Sequence, residues 1–167
     1  MNWFKKLFSF LMKPRTLSAP GWNFSVMVDG DDLVVKGTTA TWFGGNNDPQ
    51  DNGETASGVM TRGNPDCMGC ALPVIVRDAE GKPVFSTHDS PLALTPHIPW
   101  HTQVQVTHHD NSITIPLIDN GPARSSTRGI DLTVAAFHAL GGCLKEGVIS
   151  VDYRVLGAAK YLSTNQE

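Results

Sequence analysis

Two aspartates in this sequence stand where a carboxylate could act as a general acid or base. Asp119 follows the apolar segment 112–118 and precedes Asn-Gly-Pro, so a tight turn would hold it at the end of a strand. Asp131 directly precedes Leu-Thr-Val-Ala-Ala, the start of a predicted helix. Each also has a structural interpretation, because Asp119 would accept hydrogen bonds from turn amides and Asp131 would cap the helix. The residues alone leave these alternatives open.

The cysteines offer a second kind of chemistry. Cys67 and Cys70 form a Cys-x-x-Cys pair, and Cys143 is the third cysteine. The sequence has no second such pair and no His-x₃₋₅-His, which argues against a zinc site, and a redox motif would need a βαβ context. A Cys67–Cys70 disulfide, a Cys70–Cys143 disulfide and three thiols remain alternatives. We expect no metal and no cofactor.

Composition limits the class of protein. The chain has 167 residues, of which 40% are hydrophobic and 17% charged, as in one globular domain. Thirteen Lys and Arg against sixteen Asp and Glu give a net charge of -3, so nucleic acid is not an expected partner. The longest apolar runs are shorter than the roughly 20 residues of a transmembrane helix, which excludes a membrane-spanning protein. Sixteen Gly and eleven Pro indicate many turns.

The elements that must position the aspartates are short strands. Hairpin turns are predicted at Asp29-Gly30, Glu80-Gly81 and Asp110-Asn111. One short helix is predicted from an apolar stripe, with Asp131 or Thr133 as its N-cap and Gly141-Gly142 at its end. The stripe consists of Leu132, Ala135, Ala136, Ala139 and Leu140. The predicted strands are 23–28, 32–36, 38–43, 71–77, 83–86, 102–107, 112–118 and 148–156. This pattern predicts an all-β fold, a small closed barrel with one short helix.

The N-terminal segment 1–13 has the apolar spacing of an amphipathic helix, and Pro14 ends it. The helix could dock on the domain or on a second copy, lie on a membrane surface, or be a degenerate export signal, although a clear cleavable signal peptide is missing. The predicted organisation is a helix and linker at 1–21, a barrel domain at 22–160 with its core at 38–157, and a tail at 161–167.

Several motifs follow one another along the chain: TATWFGG at 39–45 with ETASG at 54–58, IPWHTQVQV at 98–106, IDNGP at 118–122 followed by GIDLT at 129–133, and GVISVDYRV at 147–155. In this order they resemble the double-psi β-barrel domains of rare lipoprotein A, expansins and family 45 glycosidases, and also the related cell-wall group with a three-aspartate motif. The resemblance implies a six-stranded double-psi barrel that binds peptidoglycan or another polysaccharide in a groove. In some members of the group the barrel cleaves the glycan strand.

The resemblance also assigns roles to residues. Asp119 matches the aspartate implicated in rare lipoprotein A catalysis, and Asp131 matches an aspartate in the groove of expansins and family 45 glycosidases. Glu54 would offer a third carboxylate. The predicted ligand-binding residues are Thr41, Trp42, Thr55, Trp100 and Asn120, although the two tryptophans, like Phe43, could instead belong to the core. Expansins carry a similar cysteine stretch as disulfides, which favours a Cys67–Cys70 disulfide and an extracytoplasmic location.

Two departures bear on catalysis. Val59 stands where rare lipoprotein A has a glutamate, and Thr95 aligns near the histidine of that family, with His97 and His101 close by but out of register. Cleavage of a glycosidic bond normally uses two carboxylates, but one suffices when the 6-hydroxyl of the sugar attacks. The sequence therefore predicts a peptidoglycan-binding or peptidoglycan-cleaving barrel resembling a lytic transglycosylase, with Asp119 as acid and base. The alternatives are a non-catalytic, expansin-like barrel that binds glycan or protein, and a protease-inhibitor or toxin-like use of the same fold.

Overall fold

The computed structural model describes residues 16–18, 25–46, 48, 52–77, 83–86, 98–122 and 128–163. The predicted N-terminal helix, the turn at Glu80-Gly81, and residues Thr95 and His97 lie outside this part of the chain. Within it, no helix has the length and apolarity that crossing a membrane requires.

Six strands close into a barrel. The described part of the chain has ten strands in all: β1 (Thr16–Ser18), β2 (Ser25–Asp29), β3 (Asp32–Phe43), β4 (Cys70–Leu72), β5 (Val74–Arg77), β6 (Pro83–Ser86), β7 (Gln103–His108), β8 (Asn111–Asn120), β9 (Ile130–Thr133) and β10 (Ile149–Val155). Around the ring the order is β3, β10, β7, β8, β4 and β9, and β9 pairs with β3 to close it. The pairs β3–β9 and β4–β8 are parallel and the others antiparallel. The prediction of an all-β fold with a six-stranded barrel is confirmed.

The observed strands differ from the prediction in three places. The predicted strand 71–77 is two strands, because Pro73 has no N–H to continue the ladder: β4 joins the barrel, and β5 pairs with β6 in a separate sheet. The residues Ile130–Thr133, predicted to lie before or within the helix, form barrel strand β9. The predicted strands 32–36 and 38–43 are one strand, β3.

Gly37 bends β3 instead of ending it. Between paired positions Val35–Tyr153 and Thr38–Val151, two residues of β3 face Asp152 alone, which is a β-bulge, and Gly37 has the positive φ of 61° that such a bulge favours. The Asp152 carboxylate accepts hydrogen bonds from the Gly37 N–H at 2.8 Å and from Lys36 Nζ at 2.9 Å. Burial raises the pKa of Asp152, but these two donors outweigh it and the net shift is downward.

The hairpin predicted at Asp29-Gly30 is present with its loop one residue later. Asp29 pairs with Asp32, and Gly30 has a φ of 61° at the first loop position. Arg154 of β10 binds the carboxylates of Asp29 at 2.7 Å and Asp32 at 2.9 Å. The Gly157 N–H, and then Arg154, hold the pKa of Asp32 below its usual range. These contacts fix the outer strand β2 to the barrel.

One helix, α1 (Val134–Ala139), packs against the core, and a second short helix, α2 (Lys160–Ser163), follows β10. The core-facing side of α1 differs in phase from the predicted stripe, because Ala136 and Phe137 are buried and Ala139 is exposed. The inward residues of the ring strands complete the core. They include Val35, Val104, Val106, Ile115, Ile130 and Leu132.

The loop from residue 52 to residue 69 lies on the outside of the barrel, against β8. The Ser57 N–H donates to the Ile118 carbonyl at 3.1 Å, and Ile118 is fully buried although it lies outside the main core cluster. Gly69 packs so closely on Ile118 that a side chain at 69 would overlap it. We call residues 52–69 the covering loop, because it covers the surface next to Asp119.

Candidate functional site

The sheet register brings Asp119 of β8 and Asp131 of β9 to equivalent positions, with strand β4 between them. Ala71 of β4 pairs with Asp119 of β8 on one side and with Asp131 of β9 on the other. Thr41 of β3 pairs with Asp131 and extends this arrangement. Paired residues project to the same face of a sheet, so Thr41, Asp131, Ala71 and Asp119 form one row across four strands. We call these four residues the carboxylate row.

The spacing within the row suits a pair of interacting carboxylates. Two strand spacings put the Asp119 and Asp131 backbones about 10 Å apart, and between them stands the methyl group of Ala71. Because alanine is so small, the two longer side chains can approach each other above it. Burial is the main cause of the raised pKa of Asp131, and the negative charge of Asp119 contributes a smaller shift in the same direction.

A β-bulge turns Asp119 to the outer face. Cys70 pairs with Leu117, but the next residue of β4, Ala71, pairs with Asp119, so Ile118 is an extra residue in β8. Leu117 belongs to the main core cluster and Ile118 lies under the covering loop. The bulge therefore interrupts the inside–outside alternation of β8 directly before Asp119.

The surroundings of Asp131 raise the pKa of its carboxyl group. Its side chain is 14% exposed, and burial, with the Asp119 charge, raises its pKa above the usual range. Two groups oppose this shift: the Thr41 hydroxyl, which donates a hydrogen bond to Asp131 Oδ1, and the guanidinium of Arg128, 3.9 Å away. The net direction is upward, which favours the protonated form that a general acid needs.

The capping interpretation of Asp131 is wrong. The N-cap of α1 is Thr133, whose hydroxyl accepts hydrogen bonds from the Ala136 N–H at 3.4 Å and from the Gly69 N–H at 3.1 Å. Asp131 instead lies within strand β9, two residues before the cap.

Asp119 is held by backbone amides. Its Oδ1 accepts hydrogen bonds from the Asn120 N–H at 2.8 Å and from the Ala56 N–H of the covering loop at 3.0 Å. The first is the local turn contact that the sequence predicted as an alternative, and the second joins residues far apart in the chain. Amide donors stabilise an ionised carboxylate. The row thus contains one carboxyl group, that of Asp131, whose pKa burial raises, and a second, that of Asp119, which two backbone amides bind.

The covering loop uses other residues than those predicted. Glu54 is exposed, and its backbone N–H binds the Asn52 side chain at 3.0 Å, while the described part of the chain gives its carboxylate no contact with either aspartate. Thr55 is buried, and its hydroxyl donates to the Val59 carbonyl at 2.9 Å, which stabilises the loop itself. Ala56 provides the contact to Asp119, through its backbone, and a backbone role leaves no signal in side-chain type.

The remaining predicted ligand-binding residues either pack against the core or contact the two carboxyl groups. Trp42 and Trp100 are partly buried and pack against the core cluster, in keeping with the alternative that assigned them to the core. Thr41 contributes through its hydroxyl bond to Asp131, and Asn120 through its N–H bond to Asp119. Thr41 and Asn120 therefore act on the carboxylates.

The predicted Cys67–Cys70 disulfide is absent, since all three cysteines are free thiols. Cys70 is fully buried in the core cluster with its Sγ 3.7 Å from the Pro116 carbonyl oxygen, whereas Cys67 is buried outside that cluster. Burial raises the pKa of both thiols. Within the described ranges, no three His, Cys, Asp or Glu side chains are grouped so that they could hold a metal ion.

Comparison with known proteins gives structural matches alone. No protein-family model and no curated protein matches the chain. Twelve chains of known structure match. Among them is the Streptomyces papain inhibitor (SPI), with 21% sequence identity, a TM-score of 0.47, and coverage of 75% of this chain and 96% of the inhibitor. The resemblance of the motifs to rare lipoprotein A and expansins stays a prediction from the sequence.

Replacing Thr41 by valine should raise the pKa of Asp131 further. The substitution removes the hydroxyl that donates to Asp131 Oδ1 and keeps the branched shape, so the ionised carboxylate loses a stabilising donor. An NMR titration of the Asp131 carboxyl carbon measures the effect. Thr107→Val removes a hydroxyl that contacts Ser112 on the strands β7 and β8 and serves as the control. An unchanged or lowered pKa of Asp131 in Thr41→Val would contradict the described hydrogen bond.

Proposed function

We propose that this chain binds glycan strands of peptidoglycan, or a related polysaccharide, at the carboxylate row and cleaves a glycosidic bond there. The observation that carries the proposal is the pairing of both Asp119 and Asp131 with Ala71, together with the raised pKa of Asp131. Two carboxyl groups at one site, one of them with a raised pKa, are typical of glycosidases. Peptidoglycan lies outside the cytoplasmic membrane, so the proposal also places the chain there.

The roles follow from the environments of the two carboxyl groups. Asp131, which favours protonation, donates its proton to the glycosidic oxygen as the bond from that oxygen to the sugar C1 breaks. The carboxylate of Asp119, held by the Ala56 and Asn120 amides, stabilises the positive charge that develops at C1. The 6-hydroxyl of the same sugar, or a water molecule, then bonds to C1 and returns a proton to Asp131. The acid role that the sequence predicted for Asp119 thus moves to Asp131.

Binding without cleavage is the second candidate. Two observations favour it: Val59 stands at the position of the glutamate of rare lipoprotein A, and Asp119 Oδ1 already accepts two backbone hydrogen bonds. A barrel of this kind would hold the polysaccharide at the same row. Cleavage and binding therefore have to be measured separately.

The test uses the full-length chain and purified sacculi. Soluble muropeptides released over time are quantified by liquid chromatography and mass spectrometry, and bound protein is quantified by co-sedimentation. Asp131→Asn is expected to lower product release by about 100-fold or more, the usual effect of removing a general acid. The matched control is Asp110→Asn, the same change at an exposed turn residue between β7 and β8. Release by the wild type should fall as the pH rises through the raised pKa of Asp131, because the protonated form is lost.

Each outcome has a defined meaning. Wild-type binding without product supports the non-catalytic candidate and rejects cleavage. Equal product release by Asp131→Asn and Asp110→Asn rejects Asp131 as the acid. Neither binding nor product from the wild type rejects the proposed function altogether.

A further inference from the structure

We propose that the imidazole of His101 binds the polysaccharide beside the carboxylate row, an inference that rests on the proposed function. In this proposal the imidazole ring contacts the ligand, and this contact is the reason that a histidine occupies position 101.

The backbone at position 101 is suited to glycine. His101 has a φ of 69°, in the left-handed region that side chains disfavour. Its N–H donates to the Leu117 carbonyl at 2.8 Å, and the Leu117 N–H donates to the Thr102 carbonyl at 2.9 Å. Two consecutive residues thus face one residue of β8, which is the arrangement of a G1 bulge, whose first position is normally glycine. Histidine at this position strains the backbone.

This bulge lies at the end of β8 that carries Asp119. Leu117, which binds the His101 N–H, is followed by Ile118 and Asp119, and neighbouring strands are about 4.8 Å apart. The bulge therefore places His101 close to the carboxylate row from the side of β8 opposite β4. No other histidine among the described residues is hydrogen-bonded through its backbone to the last five residues of β8.

The fold gives no structural reason for the imidazole. His101 is exposed, and within the described ranges its ring has neither a hydrogen bond nor an ion pair, whereas its carbonyl accepts the Gln103 side chain at 2.9 Å. Backbone strain kept without a compensating contact of the side chain is typical of functional positions. A neutral imidazole offers one donor, one acceptor and a flat face, which match the hydroxyls and the apolar face of a sugar.

His109 provides a matched control. It is the second non-glycine residue with a positive φ among the described residues, at 51°, and it is also an exposed histidine. It lies in the turn at the far end of β7, a six-residue strand about 20 Å long, away from the carboxylate row. The same substitution, histidine to glycine, thus relieves strain at both positions but removes a ring near the row at only one.

The experiment compares wild type, His101→Gly and His109→Gly as full-length chains. Both variants should melt about 2 °C above the wild type because a strained residue becomes glycine. Apparent Kd values come from depletion of protein from solution by purified sacculi at 4 °C. His101→Gly should bind about 5-fold more weakly, the effect of one lost hydrogen bond, and His109→Gly should bind like the wild type.

The possible results separate this inference from the proposed function. Wild-type binding with an equal Kd for His101→Gly overturns the role of His101 and leaves the proposed function intact. A lower melting temperature for His101→Gly overturns the premise of strain and assigns histidine a structural role. A wild type that neither binds nor cleaves sacculi overturns the proposed function, and the inference with it.

Discussion

Phe137→Ala is expected to lower the free energy of unfolding by about 3–5 kcal/mol. Phe137 is 0% exposed and is the largest fully buried side chain in the described part of the chain. It joins helix α1 to the core, and the backbone after the helix packs on its ring: Gly142 donates its N–H to the Phe137 carbonyl at 2.9 Å, and a side chain at 142 would overlap the ring. Removing the ring leaves a cavity that the surrounding strands can fill only in part.

Urea unfolding followed by tryptophan fluorescence measures this loss. The control is His138→Ala on the same helix, because His138 is exposed and its truncation removes no core contact; we expect a change within about 0.5 kcal/mol. If Phe137→Ala does not fold, Phe137→Leu gives a smaller and measurable loss. A loss below about 1 kcal/mol for Phe137→Ala would contradict the packing of α1 described above.

Gly53→Ala is expected to destabilise the covering loop by about 3 kcal/mol, because it combines a disfavoured backbone with a steric overlap. Gly53 has a φ of 88°, and a Cβ there would overlap Arg62 Cβ and lie 2.9 Å from the Arg62 backbone N. These atoms cannot move away by a change of rotamer. The carbonyl of Gly53 also accepts the Thr61 N–H at 2.7 Å, so the substitution disturbs both sides of the loop.

Gly58→Ala is the matched control for this prediction. Gly58 lies in the same loop with a φ of 83°, but a Cβ there would meet no atom within 4 Å, so the conformational cost of about 1–2 kcal/mol remains without the overlap. Hydrogen exchange of the Ala56 amide, which binds Asp119, reports the position of the loop. Equal exchange rates and equal melting temperatures for the two variants would show that Arg62 does not confine Gly53.

The link between the loop and the site has a functional consequence. Because the Ala56 N–H donates to Asp119 Oδ1 and so positions this carboxyl group, displacement of the loop in Gly53→Ala should also weaken the binding of sacculi. The covering loop thus contributes to the site through a backbone amide. Of the site residues predicted in this loop, Thr55 donates its hydroxyl to the Val59 carbonyl and so stabilises the loop itself. Glu54 donates its backbone N–H to the Asn52 side chain.

Local patterns in the sequence specify many of the secondary-structure elements and the class of the fold. The hairpin after Asp29 and the pair β7–β8 around Asp110 were predicted to within one or two residues, because turn residues and alternation are local signals. The small closed barrel followed from the number and order of short strands. The residue type and the flanking residues of Asp119 and Asp131 identify both as candidate site residues.

The contacts between residues that are distant in sequence depend on how the strands are arranged in the barrel. The common pairing of Asp119 and Asp131 with Ala71 joins three strands that are distant in sequence, and it depends on the bulge at Ile118. The hydrogen-bond partners of the two carboxyl groups are also distant in sequence, Thr41 for Asp131 and Ala56 for Asp119. Local patterns cannot specify register, because a shift of one residue reverses the face of every side chain and changes each of these contacts.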